Sequence, residues 1–149
     1  MSWIADVIGN LIGAAHTAGW FGKSPTAPKP QGSTRHLELD NDFDSAVIRA
    51  TARRAALDDL LKGQERRVAA VSAVFFQHDP IGINFEDNTD EYDPEARMIV
   101  AGLVQLSDPL SEDALAMMLA GVFEVMFGQY REPSLYLPIA AALRQKGLA

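Results

Sequence analysis

Six carboxylates, Glu86, Asp87, Asp90, Glu91, Asp93 and Glu95, crowd a ten-residue stretch that holds no Lys or Arg. Hard oxygen ligands at that density are what Ca²⁺ or Mg²⁺ coordination uses. Their spacing does not match. An EF-hand loop beginning at Asp87 would put Tyr92 where the sharp turn needs Gly, and Met98 where the bidentate Glu belongs. The three histidines, His16, His36 and His78, form no His-Glu-x-x-His pair that would set up zinc on one helix face. His78-Asp79 is a doublet of the kind metal phosphohydrolases use, and it supports a metal-dependent hydrolase only as an alternative reading. No nucleophile elbow, phosphate-binding loop or dinucleotide fingerprint occurs. With no cysteine, disulfides, thiolate metal sites and cysteine nucleophiles are excluded. The expectation is a protein with no cofactor, no metal and no catalytic residue.

Several of these acids have local structural work instead. Asp79-Pro80-Ile81-Gly82 carries the preferences of a type I turn, with an Asp oxygen placed to accept nearby N–H groups and Pro presetting φ. Asp93-Pro94-Glu95 reads as a helix start, with Asp93 as N-cap, Pro94 in the first turn and Glu95 at the positive end of the dipole. What remains is Glu86, Asp87, Asp90 and Glu91, with Tyr92 resting its ring on the core and keeping its hydroxyl wet. Those five residues are the expected partner-binding surface.

The elements that must position them are helices. Phe43 to Leu61 is rich in Ala, Arg and Leu, after Asp40, Asp42 and Asp44 as capping oxygens. Gln64 to Gln77 places Val68, Val71 and Phe75 on one stripe and stops before Pro80. After Asp93 a helix carries Ile99, Leu103 and Leu106. Ser111 with Glu112 and Asp113 opens another, whose broad apolar face includes Leu115, Met118, Leu119, Val122, Phe123 and Met126, and Gly128 closes it. Ser134 or Leu137 begins the last, with Ile139 and Leu143 inward. Only Arg35 to Leu39 hints at a strand. The predicted fold is all-α, a compact bundle of four to five helices over residues 37–149.

Two further segments precede that domain. Over residues 1–21, Ile4, Val7, Ile8 and Leu11 share one stripe and Trp3 adds bulk at its end, which predicts an amphipathic arm able to dock. Residues 22–36, with Pro25, Pro28 and Pro30, are expected to form an extended linker. The arm has no Lys or Arg before Lys23, so it reads as neither a signal peptide nor a membrane anchor, and a cytoplasmic location is expected.

The order Asp79-Pro80-Ile81-Gly82, Tyr92-Asp93-Pro94-Glu95-Ala96, Phe123-Glu124 with Met126-Phe127, then Ile139-Ala140 and Leu143 resembles a family of small helical bacterial proteins known only as a domain of unknown function. The likeness covers about Val68 to Leu148 and brings no activity with it. A looser likeness, in size, charge and helicity, is to small acidic immunity proteins that neutralise toxins.

Charge selects among partners. The stretch from Ser45 to Gln77 holds six basic residues, Arg49, Arg53, Arg54, Lys62, Arg66 and Arg67, against Asp58, Asp59 and Glu65. Helix-neighbour spacing pairs Asp58 with Arg54 or Lys62. The chain as a whole carries a formal net charge of -7, a field that repels nucleic acid. The expected function is a non-enzymatic protein-interaction module, such as an inhibitor, immunity or regulatory protein, using an acidic helical surface. The alternative is an assembly protein that oligomerises or docks through its N-terminal helix.

Overall fold

A computed structural model describes residues 47–49, 51–52, 54–84 and 89–149. The arm with Trp3, Ile4, Val7, Ile8 and Leu11, the linker, the start of the domain near residue 37 and the Arg35 to Leu39 segment lie outside them. The described residues are helical with no strand, as the apolar periodicity predicts. Helical residues at 54–60 lead into a turn at 61–63. Then follow α1 (Glu65–His78), α2 (Asp93–Val104), α3 (Glu112–Phe127), a 3₁₀ turn (Pro133–Tyr136) and α4 (Leu137–Gln145).

The stops are local chemistry. Gly63 takes φ +78 before α1, a conformation that costs glycine no Cβ clash. Ser111 caps α3, its hydroxyl accepting the Ala114 N–H at 3.2 Å. Gly128 ends α3 in the left-handed region, its N–H donating to the Glu124 carbonyl. Two sequence expectations shift by a residue or two. Asp93 is the first residue of α2 rather than its N-cap, and Pro94 is the second. The turn through residues 89–92 already has near-helical backbone at Tyr92 (φ -98, ψ 8), so the Tyr92 carbonyl opens the helix by accepting from Ala96. Leu106 falls beyond the end of α2, where it packs half-buried against the core.

Neighbouring helices pack in a closed circuit, α1 on α2, α2 on α3, α3 on α4 and the 3₁₀ turn, and α4 back on α1. Across the middle, Phe75 of α1 meets Phe123 of α3 edge-on at 5.4 Å between ring centroids. Phe123 also lies 6.1 Å from Tyr92, 5.4 Å from Tyr136 and 5.9 Å from Phe127, so four rings converge on one. Such aromatic contacts add to the area they bury. Helix α2 is buried from Glu95 to Leu103 except at the half-buried Arg97, which explains its unbroken apolar run from Met98 onward.

Arginines tie the ends of the bundle. Arg67 donates to the Leu148 carbonyl at 2.9 Å and Arg144 to the Leu110 carbonyl at 2.6 Å. The pairing expected around Asp58 is different in the fold. Asp58 binds Arg97 of α2, while Lys62, past the helix end, swings to Asp59 at 2.6 Å. The latter pair is largely exposed and contributes little.

Leu119 and Met117 test which face of α3 is inside, because Leu119 is 0% exposed and Met117 is 45% exposed. Leu119→Ala is expected to lower unfolding free energy by about 2–5 kcal/mol, and Met117→Ala by about 0.5 kcal/mol or less. Urea denaturation followed by circular dichroism reads both.

Candidate functional site

Helix α1 ends on a residue that is strained for anything but a small polar side chain. Asp79 sits at φ 42, ψ 59, the left-handed region that Asp tolerates better than bulkier residues. Its N–H donates to the Phe75 carbonyl at 2.8 Å, and its own carbonyl accepts from Gly82 at 3.2 Å, closing the turn Asp79-Pro80-Ile81-Gly82. Gly82 itself takes φ +75.

The Asp79 side chain then organises everything that follows. A single oxygen, Oδ1, accepts the Ile83 N–H at 2.9 Å, the Asn84 N–H at 3.1 Å and the Tyr92 hydroxyl at 2.6 Å. Asn84 adds a bond from its amide to the Phe76 carbonyl at 2.9 Å, satisfying a helix-end acceptor. The Tyr92 hydrogen bond, with the backbone N–H groups behind it, holds the Asp79 carboxyl below the usual carboxylate range against the opposing effect of desolvation. Burial, then the bond to Asp79, pushes the Tyr92 phenol up.

Of the five residues of the expected acidic surface, Asp90, Glu91 and Tyr92 are among the described residues. Glu86 and Asp87 lie outside the described residues. Asp90 is exposed, and Glu91 is half-buried with Oε2 enclosed and unpartnered among the described residues. Tyr92 is 0% exposed, so it is a core residue and not a contact on that surface. Its hydroxyl, expected in water, is on Asp79. Glu95, expected at the positive end of the helix dipole, is 2% exposed and its Oε2 has no partner among the described residues. Burial raises its carboxyl to about 7, Asp93 nearby adding to the shift and a bond to its own backbone N–H opposing it.

What the Asp79 turn does position is a cleft of about 170 Å³. Ile81 and Ile83 reach it from the turn, and Phe123 and Phe127 from the end of α3. Gln129 and Arg131 come from the loop beyond, and Tyr136 from the 3₁₀ turn. Arg131 is half-buried and donates to the Pro80 carbonyl at 2.6 Å, which locks the loop onto the turn. No carboxylate pairs with this guanidinium among the described residues. Tyr136 is 2% exposed. Burial pushes its phenol pKa up against the opposing Arg131 charge, and its hydroxyl has no hydrogen-bond partner among the described residues. Outside the cleft stand Tyr130 at 61% and Leu135 at 64% exposure.

Sequence reading missed this cleft because its seven residues come from four segments with no shared period. The one available signal was the cluster of Tyr130, Arg131, Leu135 and Tyr136 in a connection too short to be a helix.

No family model, curated protein or solved structure matches the chain. Among the described residues no helix is long and apolar enough to cross a membrane, and no group of three or more His, Cys, Asp or Glu is placed to hold a metal ion.

Two substitutions probe these carboxyl groups. Tyr92→Phe keeps the ring but removes a hydrogen bond to an ionised acceptor, which is expected to cost about 2 kcal/mol and to raise the Asp79 carboxyl pKa measured by ¹³C NMR titration. Glu95 gives the opposite pH dependence. An unfolded Glu loses its proton near 4.5 and the folded one near 7, so the unfolded state binds fewer protons in that window and stability falls as pH rises through it. Glu95→Gln is expected to be more stable than the parent at pH 8 by on the order of 2–3 kcal/mol, and about equal to it at pH 4. Melting curves across pH 4–8 measure the divergence.

Proposed function

We propose that this chain is a non-enzymatic protein-interaction module whose recognition site is the cleft between the Asp79 turn, the end of α3 and the 3₁₀ turn. The observation that carries the reading is the exposure of Phe127, Tyr130 and Leu135 around that cleft. Large apolar side chains gathered on a small domain mark contact surfaces, whereas single scattered ones do not. Aromatic and Arg residues together are also the composition of interface anchors.

The chemistry of the lining supports holding over turnover. Arg131 is held on the Pro80 carbonyl, and burial moves the Tyr136 phenol further from ionisation, away from a role in proton exchange with a substrate. Asp79, the residue on which a hydrolase reading would rest, has Oδ1 engaged by three donors that shape the turn. An inhibitor, immunity or regulatory protein fits a rigid site of this kind. The acidity of the chain would then set orientation and encounter rate more than affinity.

A photo-crosslinking amino acid placed at Leu135, with Glu112 as the comparison position at the far end of α3, tests the reading in cells that make the protein. A discrete protein adduct from position 135 and none from 112 is expected, with the adduct lost in Phe127→Ala. Equal labelling from both positions, or none from either, would overturn it.

A further inference from the structure

Resting on the reading of the cleft as a recognition site, we infer that it takes the C-terminal residue of a partner polypeptide, an aliphatic or aromatic side chain seated among the rings and its free α-carboxylate on Arg131 and Tyr136.

The lining divides into two chemistries. Ile81, Ile83, Phe123 and Phe127 supply an apolar floor, and Arg131, Tyr136 and Gln129 supply donors at its edge. Arg131 spends one N–H on the Pro80 carbonyl. A guanidinium has five N–H groups in a planar fork, so the remainder can meet a carboxylate side-on. The bond to Pro80 fixes the direction of that fork before any ligand arrives, which lowers the ordering cost of binding.

Tyr136 supplies a second donor. Its side chain is 2% exposed, but its hydroxyl is not among the enclosed unpartnered atoms, which among the described residues are on Ser72, Glu91 and Glu95. It therefore meets solvent on the cleft wall, makes no bond among the described residues and senses the Arg131 charge. An oxyanion at that point would satisfy the hydroxyl and the guanidinium together.

Size and surroundings choose the source of the carboxylate. The cleft, at about 170 Å³, is close to the cavity of about 150 Å³ that holds a benzene molecule, so it accommodates one side chain. A C-terminal residue presents an apolar group and a carboxylate two bonds apart, whereas an internal Asp or Glu needs a second residue to fill the floor. Past the cleft, Tyr130 and Leu135 are exposed and Glu132 and Glu124 lie beside Tyr130. That rim gives upstream residues an apolar ledge and an acidic border suited to Lys or Arg. A free small acid would leave it uncovered.

The test is a ¹H–¹⁵N NMR titration of the full chain with N-acetyl-leucine and N-acetyl-phenylalanine, their C-terminal amides, and hexanoate. The two acids are expected to shift the amides of Ile83, Phe127 and Arg131 with millimolar affinity, and the amides of the same compounds to bind at least about tenfold more weakly. Tyr136→Phe is expected to weaken the acids about tenfold with an unchanged melting temperature, because the hydroxyl it removes holds nothing in the free protein. Acid and amide binding equally would overturn the carboxylate assignment while leaving the cleft as a recognition site. Hexanoate binding as tightly as N-acetyl-leucine would overturn the polypeptide in favour of a free acid. No shift with any compound would remove the recognition site itself, and this inference with it.

Discussion

The hydrogen bond from the Tyr92 hydroxyl to Asp79 is the contact on which the rest of the molecule turns. It spans the connection between α1 and α2, joining the last residue of one helix end to the residue that opens the next. A buried phenol needs an acceptor, and a carboxylate in a left-handed turn needs donors to hold it there. Each solves the problem of the other. Because the bond is charge-assisted and its donor is buried, loss of the acceptor would leave the Tyr92 hydroxyl unsatisfied and release the turn together.

From that bond two consequences reach in different directions. Inward, it places the Tyr92 ring against Phe75 and Phe123, at 6.3 and 6.1 Å between centroids, so the polar connection becomes part of the aromatic centre. Outward, the same Asp79 oxygen orders the backbone at Ile83 and Asn84, and the turn exposes the Pro80 carbonyl to Arg131. The floor and the cationic edge of the cleft are therefore built from the same few atoms that begin α2. The packing of the aromatic centre and the shape of the cleft are thus coupled through geometry.

Glu95 shows a different kind of constraint. An acid in the first turn of a helix is ordinarily favourable through the dipole. Here the helix it opens is enclosed on nearly all sides, and desolvation outweighs that benefit. Asp79 gains stability for the fold when ionised, and Glu95 when protonated, so the two oppose each other across the acid range. Highest stability belongs to the interval where Asp79 has lost its proton and Glu95 has kept one.

The all-helical class, the stripe of α1, the Ser111 cap and the Gly128 stop were legible in the residues themselves, because each depends on neighbours within four positions. The turn potential of Asp79-Pro80-Ile81-Gly82 was legible for the same reason. Tertiary structure alone decided that Tyr92 and Glu95 are buried, that Asp58 pairs with Arg97, and that Ile81, Phe127, Arg131 and Tyr136 share one cleft. Those outcomes depend on which helix faces cover one another and on desolvation once they do, and neither quantity is encoded in local spacing.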